Sequence, residues 1–108
     1  MSLRLKSVGE SVAEEILEER KRQTTRERFS VAEDDEYVKG ELARAAGYYA
    51  LASAPGAYGR MVTSGNLSPS GWPWGKVWWK PTTPRRNLIK AAALIIAEIE
   101  RLDRESSI

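Results

Sequence analysis

Trp72–Lys90 reads WPWGKVWWKPTTPRRNLIK, and the chain changes character in the middle of it. The first part is a Gly/Pro-spaced aromatic segment holding all four tryptophans. The second part opens a helix. Thr83 supplies an N-cap oxygen, and Pro84 suits a first helical position, where its fixed φ and missing N–H cost nothing. The helix is predicted to run over about 84–104. Leu88, Ala92, Ile95, Ile99 and Leu102 recur at helical spacing as its main stripe, and Ile89, Leu94 and Ile96 widen it. AAALIIA, from Ala91 to Ala97, is apolar on every side, the pattern of a helix buried all round. With few partner helices in one chain, that pattern predicts a homo-oligomer, most simply a dimer.

Upstream, residues 54–86 contain all five prolines and five of the eight glycines. Residues 54–83 are therefore read as a long Gly/Pro/Trp-rich loop packed across the helices and pinned by its tryptophans. Within it, AYGRMVTS and GKVWW each fit either a short strand or a helical turn. A second helix is predicted over about 37–53, with Val38, Leu42, Ala45, Tyr49 and Ala52 on one face. Gly40 and Gly47 fall inside it, which implies close approach of another helix. A first helix is predicted over about 7–24, with Leu5, Val8, Val12, Ile16 and Leu17 as its stripe. Its end, EERKRQ, is polar all round and reads as projecting into solvent or across another subunit. Between the two, Phe29 reads as a core plug, and Asp34 or Asp35 as the cap of the second helix. The prediction is an all-α single domain, 1–108, of three main helices.

Composition narrows the chemistry. The chain has 108 residues, no cysteine and no histidine. Disulfides, thiolate metal sites, cysteine nucleophiles, His-ligated zinc and Ser-His-Asp hydrolysis are excluded. No apolar run approaches the ~18–20 residues of a membrane helix. A cytoplasmic location in a bacterial host and no membrane partner are the expectation. Charge is strongly segregated: residues 1–41 carry eight bases and eleven acids, and residues 98–108 two bases and four acids. Residues 42–97 carry seven bases and no acid at all. Such a field draws anions to one region, unless its ends neutralise each other within the fold or across a dimer.

The candidate site follows. Arg85 and Arg86 occupy a helix start where acids are the rule, so a bound anion there satisfies both them and the free N–H groups. The alternative is neutralisation by acids of the first helix or of the 33–36 cluster. Lys80 and Lys90 add charge. Trp74 or Trp78 offers a stacking face, with Tyr48 or Tyr49 as a second wall; equally, tryptophans in such a loop serve as its private core. The predicted ligand is a small phosphorylated molecule of nucleotide type, with nucleic acid as the rival partner. No catalytic residue, metal or cofactor is assigned. Glu15-x-x-Glu18 and Glu100-x-x-Asp103 resemble the magnesium sites of all-α nucleotide pyrophosphohydrolases, a spacing that charged helices also produce by chance.

At sequence level ERKRQ, DDEYVKGELARAAGYYAL, WPW, WWKP and RRNLIKAAALIIAEIERLDR resemble a widespread family of small phage and prophage proteins, over about residues 19–104. That resemblance implies phage origin and little chemistry. The family's G-W-T-P-x-H-D-D-like stretch is here Arg28 to Asp35, without the Gly, Trp, Pro or His. The order Arg, aromatic, Asp-Asp and then a basic helix start is also similar to the ryanodine-receptor (RyR) repeat. That similarity implies a nucleotide-derived ligand, and hence a phage protein that sequesters a host defence signal.

Overall fold

The computed structural model describes residues 6–26, 31–63 and 68–106. They form five α-helices: α1, Val8–Arg26; α2, Val31–Asp34; α3, Glu41–Ala52; α4, Ala57–Thr63; and α5, Pro84–Ser106. A 3-10 turn, Lys76–Trp78, precedes α5, and no strand occurs among the described residues. The fold is all-α, with α1, α3 and α5 as its three long members. The positions expected of Leu5 and Phe29 lie outside the described residues.

The two longest helices start on capping side chains. Ser7 Oγ accepts the N–H of Glu10 ahead of α1, and Thr83 Oγ1 accepts that of Arg86 ahead of α5, each at 3.1 Å. Each satisfies a donor that the first helical turn leaves without a partner. The third long helix differs from its expected start. α3 begins at Glu41 rather than Tyr37, because Gly40 sits at φ 80°, ψ 18°. That left-handed conformation breaks the helical path, and glycine adopts it without a Cβ penalty. Gly40 is thus a helix boundary. Gly47 has open space where a Cβ would stand, so neither glycine marks a close helix crossing.

The loop expected over 54–83 is partly helical. Ala57–Thr63 is α4, which packs on α3, and GKVWW contains the 3-10 turn. The segment leading to that turn is locked onto α3 at Gly71. Its φ is 90°, and a Cβ there would meet Tyr48 Oη at 2.4 Å. Tyr48 uses the space to donate to the carbonyl of Ser70 at 2.6 Å.

The core lies where α3 meets α5. Leu42, Ala45, Ala46 and Tyr49 pack against Ala91, Leu94 and Ala97, with Trp72 closing the cluster. Alanines at the contact let the helices lie close, so the buried face of α5 is its small-residue face. The stripe predicted as the main buried one behaves otherwise. Leu88, Ile95, Ile99 and Leu102 remain 48–53% exposed. At 100° per residue α5 has three faces. One, with Leu94, Ala97 and Arg101, meets α3; one, with Arg86 and Glu100, meets α1; the third is this open stripe.

A second correction concerns the end of α1. Glu19, Arg20 and Gln23, expected in solvent or across another subunit, are buried within the chain. Their counter-charges come from distant parts of the chain. Arg20 pairs with Asp34 at 2.7 Å and with Glu100 at 3.1 Å, and Glu19 pairs with Arg86. Asp34 therefore serves as an ion-pair partner of α1, and Asp35 pairs with Arg104; α3 has no side-chain cap.

Candidate functional site

Lys80 marks the point where the aromatic segment reaches the helices. Its backbone is held from both sides by groups that the core contributes. Tyr49 Oη of α3 accepts the Lys80 N–H at 3.0 Å, and Lys90 Nζ of α5 donates to the Lys80 carbonyl at 2.6 Å. Tyr49 also donates to the carbonyl of Trp78, at 3.4 Å. Two residues further on, the Thr82 N–H donates to Asn87 Oδ1 at 2.7 Å, and Asn87 is buried. An irregular segment packed against helices makes no ladder of its own, and here side chains from two helices receive its N–H and C=O groups. The Lys80 side chain itself is exposed, with Nζ 5.3 Å from the centre of the Trp78 ring.

The roles of the predicted site residues separate on this geometry. Tyr49 and Lys90 are buried anchors of the segment; the Lys90 ammonium also lies 5.4 Å from the centre of the Tyr49 ring. Tyr48 pins Ser70. Trp74 packs on Tyr37 at 5.1 Å and edge-on to Trp72 at 5.4 Å between ring centres. Trp79 meets Tyr49 and Trp72, each at 4.8 Å. Trp72 is the hub of this cluster, which gathers apolar area and favourable edge-to-face contacts under the loop. Trp78 is half-buried against it and carries the lysine.

Arg85 and Arg86 point into a different neighbourhood, the seam with α1. Arg85 makes a two-pronged ion pair with Glu15, both bonds 2.8 Å. The Arg85 hydrogen bond holds the Glu15 carboxyl below the usual carboxylate range, and the same bond raises the guanidinium's own pKa. Arg86 pairs with Glu19, which also takes Arg22 at 2.8 and 2.9 Å. Burial pushes the Glu19 pKa up, but the Arg22 hydrogen bond and the charges of Arg22, Arg86 and Lys90 outweigh it and hold it low. Asp34 goes the other way. With the whole residue buried, desolvation raises its pKa from 3.8 to about 6 against the pull of Arg20. Asp34 Oδ1 and Gln23 Oε1 are buried acceptors without a hydrogen-bond partner in this seam.

The remaining cations of the acid-free half are differently placed. Arg44, Arg60, Lys76 and Lys80 are exposed and form no ion pair among the described residues. Lys76 joins Lys80 as a candidate not marked in the sequence; its signal was GKVWWK, with lysines on either side of the exposed Val77 and the half-buried Trp78. Asn87 was also missed, since an Asn inside a helix carries no mark of a loop anchor. The carboxylates of the two E-x-x-E/D spacings are separated: Glu15 is bound to Arg85, Glu18 to Lys21 and Glu100 to Arg20. No group of three or more acids suited to a metal occurs among the described residues, and no helix there is long and apolar enough to cross a membrane. Compared with family models, with curated proteins and with solved structures, the chain finds no match.

Proposed function

We propose that this chain is a small binding protein for a phosphorylated, nucleotide-like ligand held at Trp78 and Lys80. The observation that carries the reading is the double anchoring of the Lys80 backbone by Tyr49 and Lys90, with the lysine side chain left exposed beside an indole face and free of any carboxylate. A rigidly held cation next to an aromatic ring loses little freedom when a flat anion binds, and preorganisation of that kind favours affinity. Lys76, one turn earlier, extends the charge. Arg85 and Arg86 sit behind it, already bound to Glu15 and Glu19, so a phosphate reaches them only by displacing those carboxylates. In a phage setting, which the family resemblance suggests, such a protein sequesters a signalling nucleotide of the host.

A thermal-shift screen of mono-, di- and cyclic nucleotides tests this. At least one nucleotide is expected to stabilise the chain. Trp78→Ala is expected to weaken its binding by ~1–3 kcal/mol, and Lys80→Ala by ~1.5–3 kcal/mol. Glu15→Gln distinguishes the role of Arg85: it strengthens binding only where the ligand phosphate competes for that guanidinium. Absence of stabilisation by any nucleotide, or equal response of wild type and Lys80→Ala, defeats the reading. Tight binding of oligonucleotides with a steep salt dependence replaces it with a nucleic-acid partner.

A further inference from the structure

The open stripe of α5 is arranged symmetrically along the helix. Leu88 and Leu102 lie seven residues on either side of Ile95, with Ala92 and Ile99 between them. The steps of four, three, four and three keep them on one line, the spacing of a helix-pairing seam. α1, α2 and α3 pack on α5, and they leave this stripe about half exposed. The charges beside the stripe run from one sign to the other. Arg85 flanks its start, while Asp103 and Glu105 flank its end, where Arg101 and Arg104 are already paired with Glu98, Glu105 and Asp35.

We infer that this stripe is the interface of an antiparallel homodimer, with its two-fold axis passing beside Ile95. About such an axis Leu88 of one copy meets Leu102 of the other, and the seam closes on itself. Arg85 and Asp103 are eighteen residues apart, five whole turns, so they project from the same flank of the stripe. In an antiparallel pair that flank faces its own copy, which sets Arg85 of one chain against Asp103 of the other at both ends. Arg85 lies ten residues from Ile95 and Asp103 eight, so across the axis they are staggered by two residues, about 3 Å, which a long arginine absorbs. Asp103 forms no ion pair within the chain among the described residues, and the Arg85 side chain is 65% exposed despite its bond to Glu15. A parallel pair instead turns that flank away from its own copy and holds Arg85 and Asp103 at opposite ends of the seam, so the two never meet. Charge therefore selects the antiparallel arrangement, as do the opposed helix dipoles. This inference does not rest on a ligand at Trp78 and Lys80.

The test is the assembly of the full chain. Sedimentation equilibrium is expected to return twice the chain mass of 12.1 kDa. Ile95→Glu, on a half-exposed position, is expected to return the monomer with unchanged helical circular dichroism. Arg85→Glu and Asp103→Arg each place like charges together at both ends, and each alone is expected to weaken association about tenfold or more. Mixed in equal amounts, the two variants complement each other and pair with wild-type strength. The absence of native cysteine permits a check of direction. With a short bis-maleimide, Ile95→Cys is expected to crosslink to itself, and Leu88→Cys only to Leu102→Cys. A monomer at every concentration, an unchanged dimer in Ile95→Glu, or self-crosslinking of Leu88→Cys overturns the inference.

Discussion

Lys90 of α5 donates to the backbone carbonyl of Lys80, so a buried ammonium in the second turn of a long helix fastens an exposed loop lysine. Lys90→Met keeps the stem of the side chain and removes the donor. A hydrogen bond from a charged group contributes about 1.5–3 kcal/mol, and the variant is expected to lose that much in urea unfolding. Limited proteolysis is expected to cut near Lys80 sooner than in wild type. Unchanged protection of the segment in Lys90→Met means that Tyr49 and Asn87 hold it alone.

Two carboxylates on α1 bind arginines of α5, and their burial separates their worth. Glu19 is 1% exposed and serves Arg22 and Arg86. Its removal in Glu19→Ala strands guanidinium charge in the seam, at an expected 3–5 kcal/mol. Glu15 is partly exposed, and Glu15→Ala is expected to cost far less, since solvent screens an exposed pair. Chemical denaturation of the two single variants compares them directly. Equal losses contradict this account of the seam.

Asp34 makes stability depend on pH in an unusual direction for a carboxylate. Its folded pKa, about 6, lies above the ordinary 3.8, so the folded chain holds this proton more tightly than the unfolded chain. The resulting stability is full below the ordinary value and is lost as pH rises through the folded one. The loss amounts to up to about 3 kcal/mol at ~1.4 kcal/mol per pH unit. Glu15 and Glu19, both lowered, act in the opposite sense and only as pH falls below 4.5. Thermal melts of wild type are expected to fall between those two Asp34 values, and Asp34→Asn is expected to flatten that slope. A midpoint that rises across the window instead shows the Arg20 pair outweighing desolvation.

Gly71 is expected to tolerate no side chain. Gly71→Ala meets both a positive φ and the hydroxyl of Tyr48. Strain at such a position is of the order of 1–3 kcal/mol. Tyr48→Phe added to Gly71→Ala relieves the clash and leaves the backbone strain, so a partial recovery of melting temperature is expected. Full recovery shows that the clash alone mattered.

Much of the fold follows from local pattern. Thr83-Pro84 starts α5 where the pair of residues requires it, the 3.6 periodicity gives three long helices, and the spacing of tryptophans among prolines marks a loop with its own apolar cluster. The start of α3 and the helix α4 escaped, because Gly40's left-handed conformation and the short AYGRMVT run are chosen by surrounding contacts rather than by propensity.

The sequence by itself determined that this protein is helical and that residues 42 to 97 carry bases but no acid. Only the tertiary structure decided which faces those helices bury. By side-chain size the Leu88–Leu102 stripe is the heaviest on α5, yet α3 packs on the alanine face because small residues let two backbones come close. The polar end of α1 is buried for a complementary reason. Glu19 and Arg20 are tolerable inside the protein only beside Arg86, Asp34 and Glu100, and that meeting exists in space rather than in any window of sequence. The same meeting takes Arg85 and Arg86 into the seam and leaves Lys80, held by Tyr49 and Lys90, as the exposed cation beside an aromatic ring.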